Sequence, residues 1–322
     1  MPTRRAPSGG YRRVPGGYNQ RSRPLFGVGT RDSHSLGGRR KGPMLGGLGV
    51  RVLIALAIVA FGLVTYYGNP GDVNEITGQR ERVAIPDAEQ EMALGQRAAP
   101  EMIAQHRGES RNREFVAQVR GVGQELLAGL ELWMAQKEQE LGVELRNPYE
   151  FRFTLLADPQ TVNAFALPGG QVFITEALYS RLDTVGQLAG VLGHEIGHVI
   201  ERHGNERMAE QQLFATIGMA GGALGGDAES ARMGQMIAGM IQMKYGRDDE
   251  LESDRWGVLL TERAGYDPRA MIGLMKVLEE SSPSGGPPEF MSTHPKPANR
   301  VRYIQQVIAD VFPDGVPEGL TP

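Results

Sequence analysis

Cysteine is absent from the 322-residue sequence, tryptophan occurs only twice and histidine six times. No disulfide framework, Cys-ligated zinc ribbon, thiol nucleophile or iron–sulfur cluster can therefore be built. The compartment stays open, since a chain without thiols sits as readily in an oxidising space as in a reducing one. Any metal site must be assembled from His, Asp and Glu. Acidic residues are scarce over the first 51 positions, which hold 11 of the 34 Lys and Arg but only Asp32 among acids. That stretch carries +10 and leaves −14 for the remainder of a chain whose formal net charge is −4. With 40% apolar residues there is enough material for a real core, as one large domain or two small ones.

Residues 1–44 contain Arg4-Arg5, Gly9-Gly10, Arg12-Arg13, Gly16-Gly17 and Gly37-Gly38-Arg39-Arg40-Lys41, with few large apolar residues and none at helical spacing. Such a segment cannot offset its ordering entropy by burial, so a disordered basic arm is expected. Val52 to Tyr67 follows without a charge. Its 16 residues give about 24 Å of helix; extension back to Leu45 gives about 35 Å, enough for a hydrocarbon core of about 30 Å if Arg51 snorkels. One transmembrane helix is expected over 45–67, with Tyr66-Tyr67 at one interface. A buried helix of a soluble core fits worse, because the run has basic flanks on one side and aromatic ones on the other. A cleaved signal peptide fits worse too, because the leader is long and no small-x-small site follows. The Gly and Pro of the arm argue against a mitochondrial transit helix.

The basic arm should stay in the cytoplasm and the rest should lie on the far side. A bacterial inner membrane with a periplasmic domain is the expected location, ahead of a mitochondrial inner membrane. Eleven basic residues could also suit nucleic acid, yet only Tyr11 and Tyr18 are available for base stacking, so no nucleic-acid partner is expected. A topology signal with affinity for anionic lipid explains the same charges.

Beyond a polar linker over 68–85, apolar residues recur at helical spacing over 86–106 and 112–141. Tyr149 to Leu156 alternates as a strand, and Asn163–Leu167 with Gln171–Thr175, joined through Pro168-Gly169-Gly170, reads as a hairpin. Helix resumes from Asp183. The domain over 86–322 is thus expected to be α+β and mainly helical.

Val191 to His203, VLGHEIGHVIERH, carries the chemistry. His194 and His198 are four apart, so a helix places both imidazoles on one face at a separation that suits one tetrahedral zinc. Glu195 points about 100° away, where its carboxylate reaches a water beside the metal rather than the metal itself. Two ligands leave the site incomplete. The metzincin pattern needs Gly and His three and six residues past His198, where the chain has Glu201 and Gly204. A later carboxylate remains, and Asp248-Asp249-Glu250-Leu251-Glu252-Ser253-Asp254 is the dense acidic helix available. Glu250 and Asp254 share a face, so Glu250 can ligate while Asp254 accepts the outer N–H of a ligand histidine. Glu252 should be at the surface. His203, nine residues after His194, falls on the opposite side of a continued helix and is expected to be structural. Six Met between Met208 and Met243 read as a helical pair over the cleft or as an adaptable surface for unfolded chains. The apolar run Leu213 to Gly226 is too short to span a bilayer.

The pairing of HEIGH with ELESD, then Arg255-Trp256-Gly257 and Ala264-Gly265-Tyr266-Asp267-Pro268, resembles the zinc metallopeptidase family of the CAAX prenyl proteases and HtpX. The likeness is to its single-pass or periplasmic quality-control branch, which includes BepA, LoiP and mitochondrial Oma. It spans about 150–305 and includes Asn163-Ala164-Phe165-Ala166-Leu167-Pro168-Gly169-Gly170 and Ser292-Thr293-His294-Pro295 with Arg300. The resemblance implies a gluzincin-type endopeptidase domain, with the small hairpin beside the HExxH helix and one Zn²⁺ held by His194, His198 and Glu250. Glu195 would be general base. His294, after a Pro/Gly-rich segment that could act as a lid, is the first candidate for oxyanion stabilisation, Arg300 the second and Tyr245 a distant third. The edge formed by Asn163, Ala164, Phe165 and Ala166 would take an extended substrate as an added strand. Unfolded or misassembled envelope polypeptides are the implied substrates, with self-association or envelope assembly partners left open. A chaperone on the same fold with latent proteolysis is the alternative.

Overall fold

A computed structural model describes residues 44–225, 228–281, 290, 294 and 299–322; side-chain surroundings are described for these except 44–47 and 223–245. The basic arm expected over 1–44 lies, apart from Met44, outside the described residues. Helix α1 covers Met44–Tyr67, and within it Leu48–Tyr67 is the one helix among the described residues long and apolar enough to cross a membrane.

The segment expected as a linker over 68–85 is instead built into the domain. Strands β1 (Asp72–Val73) and β2 (Arg80–Glu81) pair antiparallel, Ile76 is fully buried in the core, and the Asn74 amide donates to the carbonyl of Ile200. Two buried apolar side chains, Ile76 and Val83, with the hydrogen bonds of Asn74 to Ile200 and of Ile85 to Asn205, dock a stretch whose composition is that of a tether.

Helix α2 (Ala88–Gln105) starts at an Asp87 cap whose carboxylate accepts from the amides of Glu89 and Gln90. Helix α3 (Arg113–Leu141) starts at Asn112 in the same way and stops where Gly142 takes a left-handed φ of 68°. Strands β3 (Arg152–Leu156), β4 (Ala164–Leu167) and β5 (Gln171–Thr175) form one sheet in the order β3-β5-β4. β3 runs parallel to β5, while β4 and β5 make the expected antiparallel hairpin with Phe165 opposite Phe173. The edge position of β4 follows from that order. After a single helical turn, α4 (Glu176–Tyr179), the central helix α5 (Val185–Ile200) begins at a Thr184 cap and is buried along nearly its whole length. Helices α6 (His203–Gly225), α7 (Ala228–Arg263), α8 (Ala270–Glu280) and α9 (Arg300–Val311) complete the domain. The core joins α3 (Leu126, Leu130), α5 (Leu192, Ile196), α7 (Val258, Leu260) and α8 (Leu274) into one cluster.

Glycines set the approach of α5 to α7. A β-carbon at Gly193 would stand 3.2 Å from the Cα of Gly257, and one at Gly197 would stand 2.8 Å from Trp256 Cβ and 3.0 Å from Ser253 Cα. Backbones this close bring the histidine face of α5 onto the carboxylate face of α7.

A second tight contact fixes the hairpin. A β-carbon at Gly95 of α2 would meet the Pro168 carbonyl oxygen at 2.1 Å, and Gly169, at φ +80°, lies equally tight against Met92. Gly95→Ala should therefore destabilise by about 1–3 kcal/mol as the turn is pushed away. Gly121→Ala in α3, which meets nothing within 4 Å, should be neutral or raise stability by up to about 1 kcal/mol. Thermal denaturation of the two variants checks the pair; equal melting temperatures would contradict it.

Candidate metal centre

Helix α5 delivers His194 and His198 from one face, with ring centroids 4.8 Å apart and the two Nε2 atoms 3.2 Å apart. Helix α7 brings Glu250 against both: Oε2 lies 3.5 Å from His194 Nε2 and Oε1 lies 3.4 Å from His198 Nε2. His294, from the stretch between α8 and α9, adds its Nδ1 at 3.0 Å from Glu250 Oε1 and 3.4 Å from His194 Nε2. One donor atom from each of these four residues falls within 4.8 Å of the others.

Three ring nitrogens and a carboxylate converge at 3.0–3.5 Å, and with their lone pairs turned on one another they suit a shared cation. Ligands about 2.0–2.1 Å from a tetrahedral zinc are separated by about 3.3 Å, the spacing seen here. Against burial, Asp254 and Glu250 raise the His194 pKa to about 9, so a bound cation must displace a proton there. Asp254 Oδ1 accepts from His194 Nδ1 at 3.1 Å, which leaves the His194 Nε2 lone pair facing the cluster. Burial holds His198 well below the ordinary imidazole pKa, so it is neutral and able to donate a lone pair. Burial alone would raise Glu250, but the neighbouring imidazoles, His294 foremost, hold it below the ordinary carboxylate range. The donor set thus fits a zinc-like divalent cation.

Glu195 is fully buried beside this cluster, and among the described residues neither carboxylate oxygen has a hydrogen bond, although Oε1 lies 3.4 Å from His294 Nε2. Burial raises its pKa above the ordinary carboxylate value, with His294 and His194 opposing. A carboxylate with idle lone pairs next to a cation site can receive a proton there.

Arg300, considered above for oxyanion stabilisation, is turned to another task. Its Nε and one terminal nitrogen donate to the two oxygens of Asp254 at 2.7 and 2.6 Å, and the other terminal nitrogen pairs with Glu250 Oε2 at 3.0 Å. Its donors are thus taken up by two buried carboxylates, which makes it a positioning residue. Tyr245 and most of the Met-rich run lie where side chains are outside the described residues. Glu252 is exposed, as expected. Phe290 links the edge strand to the centre: it donates its amide to the carbonyl of Val162, just ahead of Asn163 and Ala164, and stacks on His294 at 4.4 Å.

His203 departs from the sequence reading. Helix α5 stops at Ile200, and Arg202 takes φ +52°, a left-handed turn held by its guanidinium on Glu91 and on the carbonyls of Ile85 and Pro86. The reversal returns His203 to His198, Nδ1 to Nδ1 at 2.9 Å, while its Nε2 donates to Glu252 at 3.2 Å. A neutral His198 that offers Nε2 to a cation must carry its proton on Nδ1, and His203 is the acceptor. The repeat of His five residues after His198 was the available signal. His203→Leu should weaken zinc binding by about 10–100-fold, measured by competition with a chromophoric chelator at unchanged helicity. Unaltered affinity would remove His203 from the site.

Residues 130–308, more than half of the chain, match Peptidase family M48. The chain is 36% identical over 168 residues to the beta-barrel assembly-enhancing protease of Escherichia coli strain K12, which takes in 49% of this chain and 34% of that protein. It is 33% identical over 165 residues to the mitochondrial metalloendopeptidase OMA1 of Bos taurus, 48% of this chain and 32% of that one. To the mitochondrial metalloendopeptidase OMA1 of Arabidopsis thaliana it is 30% identical over 154 residues. The chain thus spans about a third of the length of the curated relatives it matches.

Proposed function

The chain belongs to Peptidase family M48, and from that membership and the buried donor cluster we propose a membrane-anchored, zinc-dependent endopeptidase that hydrolyses misfolded or misassembled envelope proteins. The observation that carries this reading is the convergence of His194, His198, Glu250 and His294 beside a buried Glu195 whose oxygens have no hydrogen bond among the described residues. Bound zinc would polarise the scissile carbonyl and lower the pKa of water. Glu195 takes the proton of the attacking water and passes it to the leaving amine, a role that its raised pKa favours. Asp254 orients His194, and Arg300 fixes Asp254 and Glu250 together. His294, within 3.4 Å of Glu195, is the group nearest the chemistry that can donate to a developing oxyanion. Backbone pairing along Asn163 to Ala166 would bind extended chains with little side-chain selectivity, which suits unfolded substrates. The +10 arm and helix α1 support an N-terminus in the cytoplasm and a domain on the periplasmic side of a bacterial inner membrane.

One observation favours a second reading, a chaperone or assembly factor with latent proteolysis: His294 stands where a fourth ligand would, so it can close the position a substrate needs. Purified protein should hold about one zinc per chain and cut an unfolded protein faster than its folded form. Zinc binding without cleavage would favour the second reading. Equal cutting of folded and unfolded forms would remove the quality-control role.

A further inference from the structure

Helix α1 carries a covered stripe. Ala55 and Gly62 are buried and Ile58, Val59 and Tyr66 half-buried, whereas Leu53, Leu56, Phe61 and Val64 are exposed. The spacing 55, 58/59, 62, 66 is one helical face. At Gly62 the cover is α6: a β-carbon there would meet Thr216 Cγ2 at 3.0 Å and Leu213 Cδ1 at 3.4 Å. A cavity of about 330 Å³ opens beside this contact, walled by Phe61, Thr65 and Tyr66 of α1 and by Ala209 and Leu213 of α6. The first turn of α6 is fastened to the domain, where the Asn205 side chain accepts from the amide of Ile85. From that fixed end α6 meets α1 through Ala209, Leu213 and Thr216, beside Gly62 to Tyr66.

Polarity changes on both helices at one level. On α6, His203 to Gln212 includes Glu206, Arg207 and Glu210, and Leu213 to Gly226 has no charge. On α1, the apolar run ends at Tyr66-Tyr67, and Gly62 lies five residues, about 7–8 Å, inside that end. Leu213 and Thr216 therefore sit at a depth where α1 would be surrounded by hydrocarbon. Beyond Thr216 the helix continues through Gly218, Ala220, Gly221 and Gly222, small residues of the kind that let membrane helices approach. Met219 among them is 61% exposed.

We propose that the apolar half of α6, Leu213–Gly225, is a re-entrant membrane element packed on α1, with bilayer hydrocarbon as its partner. The inference rests on the reading of α1 as the anchor. The run is about 20 Å long against a core of about 30 Å, so it enters without crossing. Its consequence is the height of the active site. His203, which touches His198, lies ten residues before Leu213, about 15 Å along α6. Because Leu213 already lies at the level of Gly62, about 7–8 Å inside the hydrocarbon, the donor cluster is then held only about 7–8 Å above it, and the scissile bonds within its reach are those of juxtamembrane segments.

The absence of native cysteine makes the test direct. Single variants Leu53→Cys, Gln211→Cys and Met219→Cys of the full chain are placed in nanodiscs of phosphatidylethanolamine and phosphatidylglycerol, which expose both faces, and labelled with a charged maleimide. Leu53→Cys and Met219→Cys should react at least about tenfold more slowly than Gln211→Cys, because hydrocarbon disfavours the thiolate, and the difference should vanish in SDS. A bimane at 219 should be quenched by lipids brominated on their chains. Reaction at 219 as fast as at 211, or protection at 219 without quenching, overturns the inference and leaves the anchor standing. Fast reaction at 53 overturns the anchor and the inference together.

Discussion

Glu195→Gln should keep its zinc and lose its catalysis. The side chain is fully buried and its oxygens have no hydrogen bonds among the described residues, so an amide of the same size fills the same space. It does not coordinate in the arrangement described, hence metal content should stay at about one per chain. What is lost is a group that accepts and then returns a proton, a contribution of about 10²–10⁴-fold in kcat. Because the carboxylate acts in the transition state and not in holding the substrate strand, kcat should fall with KM nearly constant. A buried amide without partners costs about 1–3 kcal/mol, so a modest drop in melting temperature is expected alongside. Single-turnover cleavage of an unfolded protein, with zinc measured on the same sample, decides it. Activity within a few-fold of the parent protein would sink the general-base assignment. Rescue in cells by this variant would assign the physiological role to binding.

Much of that site was readable before any coordinates. His194 and His198, or Glu250 and Asp254, lie four apart on one helix, and helical periodicity alone puts each pair on one face. Ligand chemistry then requires the pairs to meet. Local signals also located α2, α3 and the β4–β5 hairpin, whose Gly169 and Gly170 take the positive φ that the turn demands. What was not readable depends on distant partners. The end of α5 is set by the unusual φ of Arg202, which persists because Glu91, 111 residues away, and the carbonyls of Ile85 and Pro86 bind its guanidinium. Without that turn His203 would point away from the donor cluster, as a continued helix predicts. The docking of 68–85 rests on scattered contacts, the buried Ile76 and Val83, Asn74 reaching Ile200 and Ile85 bonded to Asn205, and none leaves a periodic trace. The parallel pairing of β3 with β5, around an intervening β4, is likewise a property of the packed sheet. Arg300 belongs to the same class: its type was suggestive, but its task is set by how α9 docks on α7.

That task predicts a large stability effect. Asp254 and Glu250 are fully buried, and Arg300 is the cation between them, 2% exposed and bonded to both. Burial would raise Asp254, but the Arg300 charge and hydrogen bonds hold its carboxyl below the ordinary value, so it is ionised at neutral pH. Arg300→Ala would leave two adjacent buried carboxylates without that guanidinium, a loss of about 3–5 kcal/mol when one partner of a buried pair is removed. For a domain of this size that is a fall on the order of 10 °C in melting temperature. Zinc should restore part of it, since a cation on Glu250 neutralises one of the two charges, so the fall should be larger in chelator than at saturating zinc. Arg300→Lys should recover less than half, because an ammonium cannot span both carboxylates with a planar fork. Coupling should be strong: Asp254→Asn with Arg300→Ala should cost less than the two losses added, since the first substitution removes a charge that the second strands. If Arg300 instead served the oxyanion, Arg300→Ala would lower kcat at saturating zinc while the melting temperature held. An unchanged melting temperature in chelator would therefore overturn the positioning role.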